Sequence, residues 1–157
     1  MNRKKLICFI LTICMVLVFT ACGSGSKDSG SQGGKQTAEA YLDQDGNAPV
    51  TVIVDISGGW SVEFARGAAY LYDGEIVEGK DSTAMLITLD KEVYDEYMEE
   101  AKAASDFKEG YNGVFYTGSD EAVYLTSVDD SAFIRISANK DADIEAITSR
   151  FTLSLDN

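Results

Sequence analysis

Residues Asp43-Gln44-Asp45-Gly46-Asn47 place oxygen donors at alternate positions, as the opening of a calcium-binding loop does. Such a loop needs a bidentate Glu at its twelfth position, and here that position is Val54. Asp43, Asp45 and Asn47 therefore read more simply as an Asx-turn than as a metal site. With 26 acidic residues in the chain, some carboxylates must fall close together. A glycosidase needs two of them across a cleft, one with a raised pKa, and a small domain leaves little room for a sugar there. Ser57, Ser61, Lys80 and Lys108 supply the residue types of a serine–lysine hydrolase, but no motif spacing joins them. The chain has no histidine. Ser-His-Asp and Cys-His catalysis, imidazole-ligated zinc and imidazole pH switching are excluded together. Neither a GxGxxG run nor a Walker-type phosphate loop occurs. These absences point to a protein that binds, with no cofactor; a small cell-envelope hydrolase using carboxylates or a Ser/Lys pair is the alternative.

Two groups of residues suit binding. Glu92, Asp95, Glu96, Glu99 and Glu100 share one side of a helical pattern. Like charges four apart on a helix destabilise it by roughly 0.2–0.5 kcal/mol per pair. The stripe is either a solvated face or the place where a basic partner docks. The second group is aromatic. Trp60 follows Gly58-Gly59, while Tyr70 and Tyr72 flank Leu71 and so share one face of a strand. Tyr111, Phe115, Tyr116 and Tyr124 crowd the later strands, where most side chains belong to the core and some hydroxyls reach the rim. Exposed aromatics of this kind bind carbohydrate or peptide, and Trp60 is the first residue to mutate under that reading.

Cysteine placement bears on where such binding happens. Arg3, Lys4 and Lys5 precede an apolar run of 14 residues, Leu6 to Phe19, which ends at Thr20-Ala21-Cys22. A basic start, a short apolar stretch and a small residue before the break make a secretory signal. Spanning a bilayer takes about 20 apolar residues, so a permanent membrane helix is the poorer reading. Phe19-Thr20-Ala21-Cys22 resembles the lipobox of bacterial lipoproteins, with Phe19 where Leu is usual. The resemblance implies cleavage between Ala21 and Cys22, and a diacylglycerol thioether on Cys22. It also implies a membrane partner through that lipid and a place on the extracytoplasmic face of the cell membrane. Cys8 and Cys14 would leave with the signal, so no disulfide or thiolate metal site would remain.

The elements that must position these groups follow. Residues 22–47 open with GSGSKDSGSQGG after Cys22, too polar to fold, and read as a flexible tether with a reach of about 28 Å, within which Ala38 to Leu42 either dock on the domain or stay loose. Residues 48–157 are enough for one core. Loss of the signal's three basic residues leaves ten against 26 acidic ones, a formal charge of −16. Such a balance argues against nucleic acid as a partner. Val50, Val52, Val54 and Ile56 alternate in a first strand. Strand patterns also occur in WSVEFA, around a hairpin turn at Asp73-Gly74, and in STAMLITLD. Asp90 is placed to cap a helix carrying Val93, Tyr94, Tyr97, Met98 and Ala101 on one side. VFYTG, EAVYLTSV and AFIRISA read as strands, with Asp129-Asp130-Ser131 as the turn between the last two. A short helix carries Ile144, Ile147 and Phe151, and TLSL can add an edge strand. The sum is α+β: one domain with an antiparallel sheet of six to seven strands and two helices.

This order of elements, with GGWSVEFA early and GYNGVFYTG and ITSRFTL late, resembles the PsbP/DcrB-like fold over residues 50–155. The resemblance implies a binding or assembly accessory with an envelope protein or cell-wall ligand as partner.

Overall fold

The computed structural model describes residues 36–42 and 48–155. The signal, Ala21, Cys22, the tether to residue 35, and Asp43, Asp45 and Asn47 lie outside the described residues. In chain order the first elements are β1 (Thr37–Leu42), β2 (Val50–Asp55), β3 (Trp60–Ala65), β4 (Ala68–Asp73), β5 (Ala84–Leu89) and α1 (Lys91–Ala103). They are followed by β6 (Lys108–Gly110), β7 (Gly113–Thr117), β8 (Glu121–Val128), β9 (Ala132–Asn139), α2 (Ile144–Thr148) and β10 (Phe151–Leu155). Seven strands form a large antiparallel sheet in the order β3-β4-β5-β9-β8-β7-β6, and three form a small one in the order β1-β2-β10. The α+β class and the seven-stranded antiparallel sheet with two helices agree with the sequence; the three-stranded sheet goes beyond it.

Period-two burial explains the layering. Val50, Val52 and Val54 are fully buried and meet Ala69, Leu71, Leu86, Ile134 and Ile136 on one face of the large sheet. Ile147 of α2 joins this core. On the opposite face, Tyr94, Tyr97, Met98 and Ala101 of α1 pack over Leu89, Val114, Tyr116, Val123 and Phe133. β9 is central and buried on both faces, alternating Ile134 and Ile136 toward one core with Phe133 toward the other.

Several expectations need correction. The tether does not extend to residue 47, because Thr37–Leu42 pair in register with Val50–Asp55 and bury Ala40 and Leu42. The tight hairpin turn is at Arg66-Gly67, both with positive φ (53° and 73°), as a two-residue turn requires. Asp73-Gly74 instead opens a loop over 74–83, closed where Thr83 N donates to Leu71 O at 2.8 Å and Thr83 Oγ1 accepts from Asp73 N at 3.0 Å. Asp90 holds the N-cap position of α1 but its side chain makes no cap bond; its carbonyl accepts from Tyr94 N at 2.9 Å. Phe151 is not on the second helix. That helix, capped by Asp143 Oδ1 accepting from Ala146 N, ends at Thr148, and Phe151 starts the strand that pairs with β2.

Candidate functional site

A three-stranded sheet cannot cover a seven-stranded one. β10 is the last strand of the small sheet, with β2 as its ladder partner, and beyond it the large sheet continues through β8 and β7. A cleft of about 490 Å³ opens there. Tyr124, Thr126, Val128 and Ile136 form its floor, and Thr148, Ser149, Phe151, Thr152 and Leu153 its wall. No residue of β1 or β2 lines it, so it lies on the free side of β10. Asp129 is the one charged side chain among the described residues of the lining. Thr148, itself buried, has an Oγ1 with no hydrogen-bond partner among the described residues, which is costly.

The far end of the cleft is a strained turn. Tyr111 and Asn112 join β6 to β7 with φ of 53° and 62°. Asn suits this left-handed conformation, whereas a bulky Tyr enters it at a cost of roughly 1–2 kcal/mol. Neighbouring groups hold it in place. Tyr124 Oη donates to Tyr111 O at 2.5 Å, and Thr126 Oγ1 donates to Asn112 O at 2.9 Å. Burial pushes the Tyr124 hydroxyl above its ordinary pKa. Gly113 follows because a Cβ there would lie 2.2 Å from Leu125 O and 2.7 Å from the Tyr124 ring. The Tyr111 ring meets Phe115 edge-on at 6.0 Å, and Phe115 tilts onto Tyr124 at 4.6 Å. Even so, Tyr111 is 60% exposed. Strain maintained by its surroundings is a mark of ligand-contacting positions.

Comparison with protein families, curated proteins and solved structures returns no match. The site is therefore read from geometry alone.

The residues favoured by the sequence are dispersed. Trp60 borders a second cleft of about 500 Å³, with Asp55, Ser57, Asp143 and Arg150. Its indole is covered by the Arg150 guanidinium at 4.3 Å. Arg150 Nη1 also donates to Asp55 O at 3.0 Å and Ser57 O at 3.2 Å. Trp60 and Arg150 thus clasp the end of β2 to the start of β3. Tyr70 and Tyr72 point to the opposite face of the large sheet, where Tyr72 Oη donates to Glu63 Oε2 at 3.4 Å. Glu92, Glu96, Glu99 and Glu100 are all exposed on α1, and Lys91–Asp95 (2.6 Å) and Lys102–Glu99 (2.7 Å) offset part of the repulsion. Lys108 pairs with Glu145 at 2.5 Å, while Lys80 lies exposed in the 74–83 loop and Ser57 donates to Asp55 Oδ1. Neither lysine lines a cleft with a serine. Among the described residues, no group of three or more Cys, Asp or Glu is placed to hold a metal ion. No described helix is long and apolar enough to cross a membrane.

Another charged side chain is hidden beneath α1. Arg135 on β9 is 5% exposed; it donates to Glu121 Oε1 and, at 3.1 Å, to Ser137 Oγ. Its guanidinium lies 4.9 Å from the Tyr97 ring centroid, and its Nε has no partner. Nearby, burial and then the Glu100 carboxylate push the Tyr116 hydroxyl up to about 12, with Arg135 opposing. Arg135 lines neither the cleft beside β10 nor the one beside Trp60.

Proposed function

We propose that this chain is a lipid-anchored extracytoplasmic binding protein. Cys22 carries the lipid at the cell membrane, the following Gly/Ser segment is the leash, and the folded domain captures its ligand or partner in the cleft between β10 and β8. The observation that carries the reading is the cleft itself: an apolar floor, a ring of hydroxyls and a Tyr111 side chain held ready at the mouth. Such sites combine apolar surface with a few placed polar groups. Hydrolysis would need a second acid–base or nucleophile partner, and Asp129 stands alone in the lining. The resemblance to the PsbP/DcrB-like fold and the acidic surface support a binding or assembly accessory that does not use nucleic acid.

Two measurements test this. Palmitate labelling of cells producing the protein should be lost in Cys22→Ala. Thermal unfolding of the mature protein against calcium, sugars, cell-wall fragments and short peptides should show a shift with one class. A ligand at 100 times its dissociation constant adds about 2.7 kcal/mol, and Tyr111→Ala should remove that shift while leaving the unliganded midpoint nearly unchanged. Flat curves throughout, or a shift insensitive to Tyr111, would overturn the cleft as the site.

A further inference from the structure

The ligand class can be narrowed from the backbone that borders the cleft, an inference that rests on the binding reading above. In an antiparallel ladder, alternate residues turn their N–H and C=O groups toward one neighbour and the rest toward the other. Asp55 N donates to Arg150 O at 2.8 Å. The register Thr152↔Ile53 and Ser154↔Thr51 continues that parity, so Thr152 and Ser154 turn their backbone groups toward β2. Phe151, Leu153 and Leu155 then turn theirs away from β2, into the side of β10 where the cleft lies.

We infer that the cleft takes an extended peptide, which pairs with this free edge and becomes the fourth strand of the small sheet. Three observations converge on it. An edge of unpaired groups two residues apart is the template on which a peptide strand is added. The large sheet supplies the floor of the cleft beside that edge, through Tyr124, Thr126, Val128 and Ile136, the layer on which an added strand would lie. Thr148 and Ser149 line the wall beside that edge and border the space an added strand would fill. Alternate peptide side chains would enter the floor and must be apolar and uncharged, since nothing in the lining but Asp129 could neutralise a charge. Asp129, with Asp130 beside it in the same turn, favours a Lys or Arg at the end of the peptide that passes the β8–β9 turn. The domain's acidic excess adds to that preference.

The test is selection of a displayed library of random dodecapeptides on the full mature protein in detergent micelles. Enriched sequences should alternate apolar residues at every second position and carry a basic residue at one end. The best binder, made synthetically, should slow amide hydrogen exchange at Phe151, Leu153 and Leu155. N-methylation of the peptide amides facing β10 should weaken binding by roughly tenfold or more, and N-methylation of the intervening amides should not. Leu153→Pro, which removes an outward N–H and spares the ladder to β2, should weaken it similarly; the N-methylated peptides give the same answer should that variant fold poorly. Binding that leaves the β10 amides unprotected, or that tolerates methylation of either set, overturns the inference. If a sugar or a cell-wall glycan shifts the unfolding midpoint through Tyr111 while the library yields nothing, the peptide is wrong and the cleft stands. If neither binds, both fall.

Discussion

The two faces of the large sheet are covered in opposite ways. On one face α1 closes over its strands and seals a full positive charge inside, with Arg135 held by Glu121, Ser137 and the Tyr97 ring. On the other, the three-stranded sheet stops at β10 and leaves a cleft beside it, lined by hydroxyl-bearing residues, a strained tyrosine and the single charge of Asp129. Buried charge is commonly a sign of function, yet here the buried charge is on the closed face and the cleft is on the other. Arg135 is a fastening between β9 and the helix above it; the cleft is where something else can bind.

The largest expected effect comes from undoing that fastening on one side. Glu121→Ala leaves the guanidinium nearly buried without its carboxylate and should destabilise by about 3 kcal/mol. Arg135→Met removes the charge itself, leaves Glu121 free to face water, and should cost about 1 kcal/mol or less. Urea midpoints in the reverse order would break the comparison. On the open face, Gly113→Ala drives a methyl into Leu125 O and the Tyr124 ring and should destabilise by about 2 kcal/mol, read the same way. Alkaline titration separates the faces again. Tyr116, beneath α1, has a folded pKa of about 12 against 10.0 when exposed. The folded state keeps its proton while the unfolded state loses it, so its contribution is intact below pH 10 and is lost as pH rises to about 12. The loss should be about 2.7 kcal/mol at most, and Tyr116→Phe should flatten the slope. The smallest effect should be Tyr124→Phe, about 1 kcal/mol for the bond to Tyr111 O. Its signature is faster amide exchange in the 110–113 turn with the α1 face unchanged.

Much of the scaffold is legible in the sequence because its pattern is local. Val50, Val52 and Val54 announce β2, and Tyr94, Tyr97, Met98 and Ala101 announce the buried side of α1. β1 escapes because its inward residues, Ala38, Ala40 and Leu42, form an alternation of small side chains following a Gly/Ser run that sets a polar expectation. Phe151 has helical spacing from Ile147, but β2 offers it a ladder, and tertiary pairing outweighs local periodicity. The cleft is less legible still. It exists because α2 and β10 return across the chain to lie beside β8, a contact that no window of sequence contains. The signal that was present is Tyr111-Asn112-Gly113 between two strand patterns, where a two-residue turn puts a large ring in a conformation it disfavours. Trp60 draws attention as the lone tryptophan, but its stacking partner, Arg150, is ninety positions away and cannot be seen from its neighbours.

The first described strand, β1, also determines how the domain meets a mechanical load. Gln36, just before β1, already accepts from Ile56 N through its carbonyl at 2.8 Å, and Thr37 opens the ladder to β2. A pull along the strand axis strains the six β1–β2 pairs in parallel, as a lap joint does, instead of opening them one after another. Because β10 grips the other side of β2 through five further pairs, the load passes into the middle of the small sheet. A pull on β1 is thus shared across the small sheet before it reaches the side of β10 where the cleft lies.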